Sequence, residues 1–200
     1  MRIDRRTVMA GALGAVVALS SPMAMALTDD EAKAHVQKTI SELVALLKEA
    51  GTSSSRAPKL RRIMETRANM PLLARFAAGV AWREMSEDQQ ARFTDAFAHS
   101  ISVSYARRFD EYSGDPKITM GRTLDAGRKG ILVETNVTGP NGKPVLVEWR
   151  VSDRAGTTQI IDLSFEGIWL TVTEREQIGA MFEKRGGDVE RLIADLASAT

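Results

Sequence analysis

The stretch Val145-Leu-Val-Glu-Trp-Arg-Val151 puts Val145, Val147, Trp149 and Val151 on one parity, with Glu148 and Arg150 on the other. Side chains of an extended chain point alternately to opposite faces, so this pattern predicts a strand with one buried side. The same period runs through Ile131, Val133, Thr135 and Val137 just upstream, and more weakly through Ile118 and Met120. Downstream it continues in Ile161, Leu163 and Phe165. The strands are separated by Asp125 to Gly130, by Pro140-Asn141-Gly142 and by Ser152 to Gly156. Asn and Gly tolerate the positive φ that a tight hairpin requires. Four sequential strands with short turns form an antiparallel meander, one face apolar and the other carrying Glu134, Asn136, Glu148, Arg150 and Asp162.

Helical spacing governs the sequence on either side. Thr28 and Glu31 form a capping box ahead of Ala32, Val36, Ile40, Leu43, Val44 and Leu47. Gly51 to Pro58 reads as a linker, followed by a weaker helix with Leu60, Ile63 and Met64, and a third from Pro71 through Trp82. Ser86 and Gln89 cap the longest helix, in which Phe93, Phe97, Ile101, Tyr105 and Phe109 recur every fourth residue. Four residues advance a helix by about 400°, so this aromatic stripe drifts and must meet more than one neighbour. After Gly167, Thr173 and Glu176 predict another capped helix, and Val189 to Leu196 a short last one. The expected fold is α+β: N-terminal helices and one long helix packed against a curved antiparallel sheet of about four strands, with C-terminal helices.

Residues 1–26 read as an export signal. Arg2, Arg5 and Arg6 precede the apolar run Val8 to Leu19, and Ala24-Met25-Ala26 offers the small side chains a signal peptidase accepts. Arg5-Arg6 resembles a twin-arginine signal, with ordinary secretory export as the alternative. The run is too short for a permanent membrane span. The expected mature chain, 27–200, is a single periplasmic domain with 24 cationic and 25 anionic side chains. Such a balance gives no drive toward nucleic acid. No later apolar run is long enough to span a bilayer, since Arg75 interrupts the stretch from Met70 to Trp82.

Catalytic motifs are sparse. The chain has no Cys and two His, which excludes disulfides, thiolate metal sites and Cys nucleophiles, and leaves little for His-rich sites. No phosphate-binding loop, nucleophile elbow or metalloprotease motif is present. Asp95 and His99 are four apart on the long helix, within reach of a carboxylate–imidazole pair or of solvent. Asp162 and Glu166 lie about 13 Å apart on one strand at ~3.3 Å per residue, which suits turn-anchoring better than coupled acid–base work.

The runs Val147 to Asp153, Ile160 to Ile168, Thr173 to Ile178 and Gly186 to Ile193 resemble the MlaC family, and so do Gly79 to Trp82, Phe93, Phe97, Tyr105 and Tyr112. Its most specific part is Asp162 followed by Glu166-Gly167, then Arg175 and Gly186-Gly187-Asp188. The resemblance implies a periplasmic phospholipid carrier without catalytic residues, metal or cofactor, its cargo the lipid itself. It also implies partners: an outer-membrane lipoprotein–porin complex, and an inner-membrane MCE-domain ring with an ABC transporter. Acyl chains would lie between sheet and helices. The expected lining is Val133, Val137, Val147, Trp149, Ile161, Leu163 and Phe165 from the sheet, with Phe97, Ile101 and Tyr105 from the long helix. Ordinary core packing wants the same side chains at the same spacings. The alternative is a small-ligand binder or enzyme on a cone-shaped α+β scaffold, with His99 and Asp95 at its mouth.

Overall fold

The computed structural model of the chain describes residues 27–111, 116–138 and 142–200. The export segment, Tyr112 and the Pro140-Asn141 turn lie outside them. Helices α1 (Asp29–Lys48), α2 (Ser53–Arg67), α3 (Met70–Ala78), α4 (Ala81–Glu84) and α5 (Glu87–Glu111) come first. Strands β1 (Lys117–Asp125), β2 (Ile131–Thr138), β3 (Pro144–Ser152), β4 (Gln159–Phe165) and β5 (Ile168–Trp169) follow, then α6 (Leu170–Lys184) and α7 (Val189–Ala197). The fold is α+β, and the sheet is an antiparallel meander in the order β1-β2-β3-β4-β5.

The fifth strand is a correction to the expected four. Glu166 and Gly167, with φ of 50° and 79°, form a two-residue turn that pairs Phe165 with Ile168 and Ser164 with Trp169. Positive φ at both central residues matches the right-handed twist of the flanking strands, and glycine takes it without steric cost. Glu166 offsets its strain by bonding across to β3: its N–H donates to the Leu146 carbonyl at 2.9 Å, and its carboxylate accepts the Leu146 N–H. A strand of two residues is too short to display alternation.

Both upstream capping boxes form. Thr28 N–H donates to Glu31 Oε2 at 2.9 Å, and Ser86 N–H to Gln89 Oε1 at the same distance. The expected box at Thr173 does not. Helix α6 starts at Leu170, and Thr173 Oγ1 donates to the Trp169 carbonyl instead. The β4–β5 hairpin delivers the chain directly into the helix, and Asp162 of β4 does the capping: Oδ1 accepts the Thr171 N–H at 3.3 Å and Oδ2 the Thr171 hydroxyl at 2.8 Å. A carboxylate at a helix N-terminus satisfies a free donor and opposes the positive end of the helix dipole.

Two further boundaries shift. Helix α2 begins at Ser53, so most of the expected linker is helical. Ser55 Oγ accepts the Thr52 N–H at 3.1 Å, which gives the serines a start signal despite Pro58. Helix α3 stops at Ala78, ahead of Gly79, and Trp82 belongs to the four-residue α4.

The drifting stripe of α5 divides between two clusters. Phe93, Phe97 and Ile101 are buried in the main core with Val133, Val147, Trp149 and Val151. Phe93 stacks on Phe97 at 6.2 Å and meets Trp82 edge-on at 6.3 Å. Tyr105 and Phe109, further round the helix, pack against a second cluster of Leu46, Ala57, Leu60 and Ala106. The α2–α3 junction is tied to the sheet, since Ala68 bridges Ile160 and Asn69 N–H donates to the Ile160 carbonyl at 2.8 Å.

Asp162→Ala is expected to lower folding stability by about 1–3 kcal/mol, because it strands two donors of Thr171 in a part-buried site. Asp162→Asn, which keeps an accepting oxygen, should lose less. Urea denaturation reads both, and wild-type stability in the alanine variant would contradict the capping role.

Candidate functional site

The inner face of the sheet is built from opposed pairs. Val133 faces Trp149, Thr135 faces Val147, Trp149 faces Leu163 and Val147 faces Phe165. Trp149 would bring a buried N–H to this surface, but its Nε1 donates to Thr135 Oγ1 at 2.9 Å, and that hydroxyl donates on to the Val147 carbonyl at 3.3 Å. The indole is thereby satisfied within the sheet, and its ring presents only carbon and hydrogen.

Above this face the helices do not close completely. A cavity of about 440 Å³ remains between the sheet and α1, α2 and the C-terminal half of α5. Its walls are Ile40, Leu43, Val44 and Leu47 of α1; Leu60, Ile63 and Met64 of α2; Tyr105 and Phe109 of α5; and Ile118, Val137, Val145, Val147, Trp149, Ile160, Leu163 and Phe165 of the sheet, with Leu170. Apart from the Tyr105 hydroxyl, the few polar side chains in the wall are committed elsewhere. Thr39 donates to the His35 carbonyl, Arg67 forks onto Glu42, and Asp162 caps α6. The Arg67 hydrogen bonds hold the Glu42 carboxyl below its ordinary range. The cavity is dry in the chemical sense, since a water inside would find few partners.

One end is less enclosed. Phe165 is 38% exposed, and the exposed Arg108 lies over the Tyr105 ring at 4.8 Å. Burial pushes the Tyr105 phenol up to about 12, so it stays a neutral hydroxyl at any physiological pH. Burial also raises Glu174 above the usual carboxylate range, with Arg108 pulling the other way.

Tyr105, Val137, Val147, Trp149, Leu163 and Phe165 of the expected lining meet round this cavity. Phe97, Ile101 and Val133 do not; they are buried in solid core further along α5 and β2. Ile161 is turned away by a bulge, because Arg150 pairs with Asp162 and Val151 with Ile160, leaving Ile161 opposite no residue. Its neighbour Ile160 takes the inward position. The α1 and α2 walls were not anticipated as lining. The signal was stripe width: Leu46 serves the second cluster, so Ile40, Leu43, Val44 and Leu47 exceed what one packing contact uses.

The two residues named for the catalytic alternative lie away from the cavity. Asp95 pairs with Arg61, His99 Nε2 bonds the Ala199 carbonyl at 2.9 Å, and neither lines the cavity. Among the described residues no group of three or more His, Asp or Glu converges as a metal site would.

No curated protein matches this chain. Among solved structures it is similar to a phospholipid-binding protein from Ralstonia solanacearum, determined in complex with a phospholipid, at 23% identity and a TM-score of 0.67. The match covers 84% of this chain and 99% of that one, and shows a shared fold. The sequence profile of the MlaC protein matches residues 33–198, nearly all of the α+β domain described above. The chain belongs to the MlaC family.

Proposed function

We propose that this protein carries phospholipid through the periplasm, its acyl chains held in the apolar cavity between sheet and helices. The observation that carries the reading is a cavity of about 440 Å³ whose walls are almost wholly hydrocarbon, with Thr39, Arg67 and Asp162 engaged elsewhere. That volume is within the ~300–1,000 Å³ usual for ligand sites. Apolar walls left without packing partners are costly, at ~24 cal/mol per Å³ for an enclosed void. A whole domain is stable by only ~5–15 kcal/mol, so the cavity is filled by a greasy ligand or the helices settle inward. The phospholipid held by the protein of the same fold, and family membership, support a phospholipid as that ligand.

In this reading residues 1–26 direct export and are removed. The carrier exchanges cargo with an outer-membrane lipoprotein–porin complex and an inner-membrane complex of MCE-domain ring and ABC transporter. Two acyl chains carry roughly 30 methylenes, about 25 kcal/mol of transfer free energy at ~0.8 each. Release into water is forbidden on that scale, whereas passage from one hydrocarbon site to another is nearly neutral. Direction then comes from the partners.

Solvent extraction of the purified protein followed by mass spectrometry should find about one phospholipid per chain, and stripping it should lower the unfolding midpoint in a way added lipid reverses. A lipid-free protein of undiminished stability would sink the proposal. A pair of substitutions separates cavity from core. Val147→Arg should fold and lose the lipid, since its guanidinium can reach solvent past the half-exposed Phe165. Val133→Arg, in solid core, should not fold at all, because an unpaired buried charge outweighs the domain's net stability. Lipid retained in Val147→Arg would show that this strand does not face the cargo.

A further inference from the structure

On the polar face of the sheet, where α3 and α6 wrap the edge of β4, lies a second recess of about 580 Å³. Arg128, Lys129, Arg150 and Arg154 line it, and Asp162 is the sole carboxylate among its lining residues. That carboxylate is spent on Thr171 and on the Leu163 N–H at 2.9 Å. Arg128, Lys129 and Arg154 form no ion pair among the described residues. Four cations gathered in one recess are not a by-product of overall basicity, since the chain carries only +1.

The cations are held in place. Asp125 Oδ1 accepts the Gly127 N–H at 2.7 Å, which fixes the turn carrying Arg128 and Lys129. That turn presses on the end of β3: a Cβ on Gly130 would lie 2.0 Å from the Val151 carbonyl oxygen, so only glycine fits. Ser152 Oγ accepts the Arg154 N–H at 3.3 Å and steadies the neighbouring turn. Arg150 lies flat on Trp169, its guanidinium carbon 3.9 Å from the ring centroid, and touches Asp162 only at 3.5 Å. Its Nε is buried and meets no acceptor among the described residues. A guanidinium over an indole ring with an unused donor, in one recess with three cations that form no ion pair among the described residues, is arranged for a multidentate oxyanion.

We infer that this recess is a second binding site, for a phosphate group, distinct from the apolar cavity behind β4. Phosphate supplies enough acceptors for the Arg fork and its neighbours, and spreads charge that a single carboxylate would not. The recess exceeds phosphate alone, and Phe76 on its rim is 50% exposed, so it has room for an esterified phosphate such as a lipid headgroup as well as the free ion.

The test uses the exported full-length domain at low salt. NMR titration with inorganic phosphate reads the free ion; co-sedimentation with phosphatidylglycerol vesicles, against phosphatidylcholine vesicles, reads the headgroup. Signals of Arg150, Ser152 and Thr171 should shift with phosphate, or phosphatidylglycerol should retain the protein where phosphatidylcholine does not. Joint Arg128→Glu and Arg154→Glu should weaken that binding at least about tenfold, as loss of phosphate contacts does. Both positions are exposed, so thermal melting and bound-lipid content should stay at wild-type values. Shifts without vesicle binding identify free phosphate as the ligand, and vesicle binding without shifts identifies the headgroup. Binding of neither, or binding unchanged in the double variant, overturns the site. Bound-lipid content reports on the cavity separately, so failure of one proposal is visible apart from the other.

Discussion

Asp162 accepts both donors of Thr171 while the strand it sits on is bridged to Ala68, so one short strand holds α6 and the α2–α3 junction at once. These ties fix where the helices stand relative to the sheet. Between them the helices span the inner face without a side chain large enough to fill the gap, and the cavity is what is left over. Had α6 started four residues later behind a loop, as a Thr173 cap implies, its position would depend on loop closure alone. The carboxylate replaces that freedom with two hydrogen bonds to a strand locked on its other side by β3. The recurring spacing of Asp162 and Glu166-Gly167 has the same root, since the turn sets the distance from capping group to capped helix.

Much of this was readable from periodicity because the physics is local. Alternation in β2 and β3 excludes the one-residue slips that would turn Val133, Val147, Trp149 and Val151 outward, and the observed register keeps them on one face. Both capping boxes at Thr28 and Ser86 are reciprocal bonds within four residues and form as read, whereas at Thr173 the carboxylate of Asp162, from another strand, sets the helix start instead. Ile161 escaped because a bulge inserts one residue without altering composition, and every parity beyond it is exchanged. Phe97 and Tyr105 mark the deeper limit. They lie two helical turns apart on one stripe, yet the first is core and the second is cavity wall. An apolar side chain satisfies the same free-energy requirement against protein or against hydrocarbon, so no local pattern distinguishes them. The choice is made by how far apart the elements are held, a property of Asp162 and Ala68, which carry no apolar signal at the site.

The cavity and the recess behind it divide two kinds of chemistry across one strand. On the inner side Ile160, Leu163 and Phe165 offer only hydrocarbon; on the outer side Arg150 and its neighbours offer charge. A bilayer lipid has this same division between tails and headgroup, and Asp162, already spent on Thr171, lines both the cavity and the recess. In the proposed reading the tails are held through their apolar surface, a free energy that scales with chain length. On the two proposals together, the recess would draw the protein to an anionic surface by long-range attraction, which salt tunes, while the exchange of tails stays close to neutral in free energy. A carrier that used one site for both would hold anionic lipids more tightly than it could pass them on.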